Sequence, residues 1–188
     1  MSDAETTYLV IDGENIDATL GVSILGHRPN PEERPRWDRV LTRAGETWGG
    51  ETKGLFFLNA TSGNLPTTFI SALLAMNCRP IPLAGSATEK VVDIGVQRML
   101  EAVLEQGHGN VLLVSHDGDF LPQVEQLLDA GHKVGVIAFR EFLNGDLAAL
   151  SGKGMRILDL EDDVHAFTAP LPRVRIIPLE SFDPIQFL

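Results

Sequence analysis

Three unbroken apolar runs set the tightest limit on the fold. They are Tyr8-Leu9-Val10-Ile11, Leu55-Phe56-Phe57-Leu58 and Val111-Leu112-Leu113-Val114. Each is too short for an ordinary helix, and none alternates apolar with polar positions. Such runs read as strands buried on both faces. The segments between them carry the helical period instead. Ile16, Leu20 and Ile24 share one face of 14–25, and Trp37, Val40, Leu41, Ala44 and Trp48 share one face before Gly49-Gly50 ends the pattern. Strands alternating with helices predict an α/β fold with a mostly parallel sheet.

The weaker elements fit the same plan. Thr67 to Met76 reads as a helix with Pro66 in its first turn. Arg79 to Leu83 reads as a short strand, and Pro80 and Pro82 place it at a sheet edge. Ser86-Ala87-Thr88-Glu89 matches a capping box that opens a long helix with Val92, Val96, Met99 and Val103 inward. Leu121 to Ala130 is a further helix, Lys133 to Phe139 a strand, Leu147 to Leu150 a short helix and Met155 to Leu160 a last strand. Residues 1–169 form one domain on this reading. Residues 170–188 are a Pro-containing tail rich in apolar side chains, expected to dock on the domain or on a second copy as a homodimer contact.

The chain has 188 residues, 44% of them hydrophobic, which suffices for a packed core. The single cysteine, Cys78, rules out an internal disulfide. Residues 1–7 are polar and acidic, without the basic and apolar regions of a signal peptide. No run has the length of a membrane span. The expectation is a cytoplasmic protein with no membrane partner. A net charge of -11 opposes broad nonspecific nucleic-acid binding, which needs cations to displace counterions. Locally the balance differs. Between residues 27 and 43, Arg28, Arg34, Arg36, Arg39 and Arg43 stand against three acids, an excess of +2.

The acidic residues are not scattered evenly. Asp12 closes the first apolar run, followed by Gly13, Glu14 and Asn15, with Gly13 permitting a tight turn. Asp117 and Asp119 lie in Ser115-His116-Asp117-Gly118-Asp119-Phe120, directly after the run that ends at Val114. Asp93 sits in the long helix, three residues after Lys90. Ligands of open parallel sheets bind outside the carboxyl ends of the strands, where such residues converge. Like charges about 4 Å apart repel by about 1 kcal/mol in water and about 4 kcal/mol at an effective dielectric near 20. A hard divalent cation is the usual reason to gather them.

Plainer roles compete at each position. Asp12 or Asn15 can cap a helix, and one of Asp117 and Asp119 can cap the helix entered near Phe120. Asp93 can pair with Lys90 on a surface, since a helix starting at Ser86 puts it in the second turn, beyond the strong end of the helix dipole. His116 reads as exposed. No histidine has zinc-ligand spacing, and there is no Walker A or G-x-G-x-x-G pattern.

Taken in order, Asp12-x-x-Asn15, Lys90-x-x-Asp93 and Ser115-x-Asp117-x-Asp119-Phe120 resemble the NYN domain, a branch of the PIN-like nuclease superfamily, and within it the bacterial LabA-like group. The resemblance covers about residues 7 to 165. It implies a Rossmann-like, PIN-type three-layer α/β/α domain that binds Mg²⁺ or Mn²⁺ and cuts RNA. Asp12, Asp93, Asp117 and Asp119 would be the catalytic and metal-binding carboxylates, with Asn15 and Ser115 in support. The expected arrangement has Asp12, Asp117 and Asp119 on the metal and Asp93 reaching it through water. The ion would lower the pKa of a bound water and offset charge on the scissile phosphate. Lys90, Arg28 and Arg36 are candidates for the RNA backbone. The segment 26–36 and the tail lie outside what the resemblance covers closely.

Two other functions compete with a ribonuclease. A non-catalytic RNA-binding or scaffold module could keep an acidic pocket without turnover, as fold does not fix function. A phosphatase of the haloacid-dehalogenase or Toprim type also uses a D-x-D pair. The first of these carries it on the first strand, where this chain has Asp12-Gly13-Glu14-Asn15, and the second needs a first-strand glutamate, for which Glu14 is too far into the turn.

Overall fold

In a computed structural model that describes residues 4–188, six strands form one sheet in the order β3-β2-β1-β4-β5-β6, and every pairing is parallel. The strands are β1 (Thr7–Asp12), β2 (Thr52–Asn59), β3 (Cys78–Leu83), β4 (Asn110–Val114), β5 (Val134–Ala138) and β6 (Arg156–Asp159). Residues 1–3 of the acidic N-terminal stretch lie outside the described residues. The expected α/β class holds, and the sheet is wholly rather than mostly parallel. This strand order is that of a doubly wound dinucleotide-type fold, which reverses direction between β1 and β4. A crevice opens where the connections from these two strands part to opposite faces.

Side-chain alternation along the strands builds two cores. Leu9 and Ile11 of β1 and Leu112 and Val114 of β4 face one layer, with α1 (Gly13–Thr19) and α2 (Trp37–Trp48). Val10, Val111 and Leu113 face the other, with α4 (Val91–Gln106) and α5 (Leu121–Asp129). The inner face of α4 is Val92, Val96, Leu100 and Val103. Each such side chain contributes about 1.5–3 kcal/mol on full burial. α3 (Thr67–Ala75) joins β2 to the edge strand β3, and the short α6 (Gly145–Ala148) lies between β5 and β6.

Three local expectations are corrected. The predicted helix 14–25 is α-helical only to Thr19, and Leu20–Leu25 widen into a π-helical turn that ends on left-handed Gly26. The Ser86 to Glu89 motif forms a capping interaction, Ser86 N–H donating to Glu89 Oε1 at 2.7 Å, but it closes a turn. The helix itself starts at Val91, so Asp93 falls in its first turn, where the dipole favours a carboxylate. Gly13 has no left-handed backbone. A Cβ there would lie 2.4 Å from Phe56 Cζ, so glycine serves the close approach of α1 to β2.

The tail docks, though through charge more than through its apolar residues. Arg173 pairs with Glu141 and Glu161 and sits 5.5 Å from the Phe139 ring centroid. Arg175 binds both oxygens of Asp162, at 3.0 and 2.6 Å. The alternate residues Val174 and Ile176 point outward and are exposed, as are Leu179, Ile185 and Leu188. Among the described residues no helix is long and apolar enough to cross a membrane.

Candidate functional site

Parity places the first two site residues. Asp12 follows Ile11 and so turns to the α4 side of the sheet, and Ser115 follows Val114 and does the same. They meet at the crevice between β1 and β4. Ser115 Oγ donates to Asp12 Oδ2 at 3.0 Å and accepts from the Asp117 N–H at 3.1 Å. Asp12 Oδ1 accepts from the Asn15 N–H at 3.4 Å and caps α1. Asp12 is 1% exposed. Burial pushes its carboxyl up to about 7, against these hydrogen bonds and with help from the Asp93 and Glu14 charges.

In front of this pair lies a group of three carboxylates. One oxygen each of Asp93, Asp117 and Asp119 falls within 4.8 Å of the others. Asp93 comes from the first turn of α4. Asp117 caps the short 3-10 turn Gly118–Phe120, its Oδ1 accepting from the Asp119 N–H at 2.9 Å, and Asp119 lies one residue into that turn. Only one of the two aspartates is thus spent on capping. Burial raises the pKa of Asp93, and the Asp117 and Asp119 charges raise it further while Lys90 opposes them. The ammonium of Lys90 lies 3.6 Å from Asp119 Oδ2, so its ion-pair partner is Asp119. Gly118 has to be small, because a Cβ would stand 2.5 Å from Asn144 Nδ2.

The residues singled out in sequence therefore separate into layers. Asp93, Asp117 and Asp119 form the open acidic cluster, with Asp12 and Ser115 behind it. The expectation puts Asp12 on the metal and Asp93 at one remove; the open group of three includes Asp93, and Asp12 lies buried behind it at the sheet end. Lys90 borders the cluster. Arg28 and Arg36 do not join it: Arg36 is held by Asp38 at 3.1 Å, and Arg28 is exposed, its charge acting on Asp17. Arg34 and Arg43 of the same basic stretch pair with Asp17 and Glu46.

Two residues at the site escaped the sequence reading. Glu14 borders the crevice, its pKa raised by burial and by the Asp93 charge, against a backbone hydrogen bond from Asn59. His116, expected at the surface, is 5% exposed. It follows the parity of Leu112 and Val114 toward the α1 layer, a signal that β4 itself carried. Its ring stacks on Phe139 and contacts Asn15 Oδ1 at 2.9 Å, while the Phe139 N–H donates to Nε2 at 2.8 Å. Burial pulls its pKa down to about 4.

The cluster fits a divalent cation. It offers hard carboxylate oxygens at a spacing one ion can span, and the rise in Asp93 is partly the repulsion such an ion would relieve. Comparison with known proteins agrees with the fold. A family model described as NYN domain matches residues 6–150. A crystal structure of a protein of unknown function from Vibrio parahaemolyticus is similar at a TM-score of 0.66 and 18% identity, over 87% of this chain and 98% of that one. No curated protein matches the chain.

Proposed function

The chain belongs to the NYN domain family, within the PIN-like nucleases, and on that premise we propose that it is a divalent-metal-dependent endoribonuclease of the bacterial LabA-like type. One observation carries the reading: Asp93, Asp117 and Asp119, from two separate elements, bring oxygens within 4.8 Å of one another at the sheet's switch point. In this reading they hold Mg²⁺ or Mn²⁺. When bound, the ion supplies Lewis-acid stabilisation of charge at the scissile phosphate.

The remaining residues set the stage for that charge. Asp12, through Ser115, fixes the Asp117 backbone and so the direction of its carboxylate. Lys90 stands beside Asp119 as a cation for an incoming phosphate. Asn15 offers a polar side chain from the first turn of α1. Arg28, exposed on the surface, is the basic residue of the 26–36 segment most open to an RNA backbone. The protein acts in the cytoplasm on this reading. Residues 170–188 lie beyond the 1–169 domain as a tail docked by Arg173 and Arg175, with exposed apolar side chains available to a second copy.

A non-catalytic RNA-binding or scaffold module is the second reading. It is favoured by the net charge of -11 and by the internal pairing of Arg34, Arg36 and Arg43. One experiment separates the two. Labelled single-stranded and structured RNA is incubated with Mn²⁺, Mg²⁺ or chelator, using wild type and Asp117→Asn. The nuclease reading expects internal cuts by wild type with metal and none by the variant, with matching thermal unfolding. Equal cleavage by both proteins removes the nuclease reading, and binding without cleavage establishes the scaffold.

A further inference from the structure

Hydrogen bonds around His116 settle the orientation of two side chains that sequence leaves open. The Phe139 N–H points at Nε2 at 2.8 Å. A backbone N–H can only donate, so Nε2 carries no proton and the neutral ring holds its proton on Nδ1. That Nδ1 lies 2.9 Å from Asn15 Oδ1. The His116 backbone N–H lies 2.8 Å from the same atom. Two donors converge on one Asn15 atom, which is therefore the carbonyl oxygen of the amide. Its two lone pairs are both engaged. The other half of the amide, Nδ2, has no hydrogen-bond partner among the described residues, nor is it one of the enclosed unpaired atoms.

From this geometry we infer that His116 is a positioning residue, locking Asn15 so that its NH₂ group faces the crevice as a two-proton donor for a nonbridging oxygen of a nucleic-acid phosphate. The inference rests on the phosphodiester reading of the site. It also fixes what Asn15 does not do. With both lone pairs of Oδ1 occupied, Asn15 has no atom left to ligate a cation. It serves substrate, while Asp93, Asp117 and Asp119 form the anionic side of the crevice. The lock draws on three strand ends: Asn15 follows β1, His116 follows β4 and Phe139 follows β5. None of these atoms needs to move for the donor to be presented, which is the arrangement electrostatic stabilisation requires.

The test compares four variants. His116→Gln keeps a donor and an acceptor on one amide, whereas His116→Leu keeps bulk and loses both. Asn15→Asp keeps an acceptor for His116, removes the NH₂ and adds a negative charge, while Asn15→Ala removes the donor without adding charge. RNA cleavage in Mn²⁺ should fall in kcat by roughly tenfold to a hundredfold in His116→Leu, the scale of one hydrogen bond to a charged group. Asn15→Ala should match it, Asn15→Asp should fall at least as far, and His116→Leu combined with Asn15→Ala should be no worse than either alone. His116→Gln should recover most of the rate.

A second readout does not need catalysis. In ¹⁵N spectra, the Asn15 side-chain NH₂ pair should be sharp in wild type and shift when an RNA oligonucleotide is added with Ca²⁺. In His116→Leu the pair should broaden or average and lose that shift. An inactive wild type would sink the nuclease reading yet leave the lock to be judged by these spectra. The lock is overturned by multiplicative losses in the double variant, or by an unchanged NH₂ pair and RNA response in His116→Leu. Should His116→Leu fail to fold, full activity in Asn15→Asp overturns it equally.

Discussion

Replacing Asp12 with asparagine should stabilise the protein above neutral pH, although Asp12 sits at the heart of the site. Its folded pKa, raised from 3.8 to about 7, exceeds that of the unfolded chain. The folded protein therefore holds a proton between pH 4 and 7 that the unfolded chain has released. Stability contributed by this group is present at low pH and lost as pH rises through 7. At about 1.4 kcal/mol per unit, the full penalty is about 4 kcal/mol, of which about 3 kcal/mol develops between pH 5 and 8. An amide has the shape of the protonated carboxyl and carries no charge. Asp12→Asn should then gain about 3 kcal/mol on wild type between pH 5 and 8.

His116 supplies an internal check, because its sign is opposite. Its folded pKa is lowered from 6.5 to about 4, so its contribution is lost on acidification through that window. In wild type the two slopes cancel between pH 4 and 6.5. Of these two opposing slopes only the histidine one remains in Asp12→Asn, so relative to wild type the stability of the variant should climb with pH by up to about 1.4 kcal/mol per unit. Urea unfolding in chelator at four values from pH 4.5 to 8 measures both. A difference between wild type and variant that does not change with pH would refute the reasoning, as would a gain over wild type that shrinks from pH 5 to pH 8.

Two further outcomes are expected. Gly13→Ala should cost about 2 kcal/mol by overpacking, because Phe56 is wedged edge-on between Trp37 at 5.1 Å and Phe69 at 5.0 Å and cannot swing away; Phe56→Leu in the same chain should recover part of that in thermal unfolding, and two independent losses would refute the contact. Replacing Arg173 and Arg175 together with alanine should free the tail, seen as faster limited proteolysis after residue 170 with a cooperative unfolding transition retained, whereas unchanged digestion would show that the arginines do not hold it.

Much of this arrangement could be read from the chain alone. Four-residue apolar runs of β-branched and large side chains have few solutions other than buried parallel strands, so β1, β2 and β4 were legible, as was the meeting of Asp12 with the Ser115 to Asp119 string. Asp93 was harder. Its position depended on where α4 begins, and Ser86 and Glu89 mimic a helix start while closing an isolated turn. The burial of His116 could have been read from the parity of Leu112 and Val114, but its hydrogen bonds could not. Its partners are a backbone N–H at the end of β5 and an amide beyond β1, and neither leaves a trace in the residues flanking it. Docking of the tail was expected from its apolar residues, whereas the ion pairs that hold it come from Arg173 and Arg175. The alternation of Arg173 and Arg175 with Val174 and Ile176 was the better guide, since two guanidiniums facing Glu161 and Asp162 bind strongly from an extended segment.

Pro80 and Pro82 share one parity along β3 and lie at the outer margin of the sheet. Neither has an amide proton to give. A stray β-segment approaching that flank would find two successive outward donors missing, which opposes lengthening of the ladder there. This guards the molecule against fibrillar growth and strand exchange on that side. Any assembly it enters must be built through side chains rather than by extending its own backbone lattice across that border.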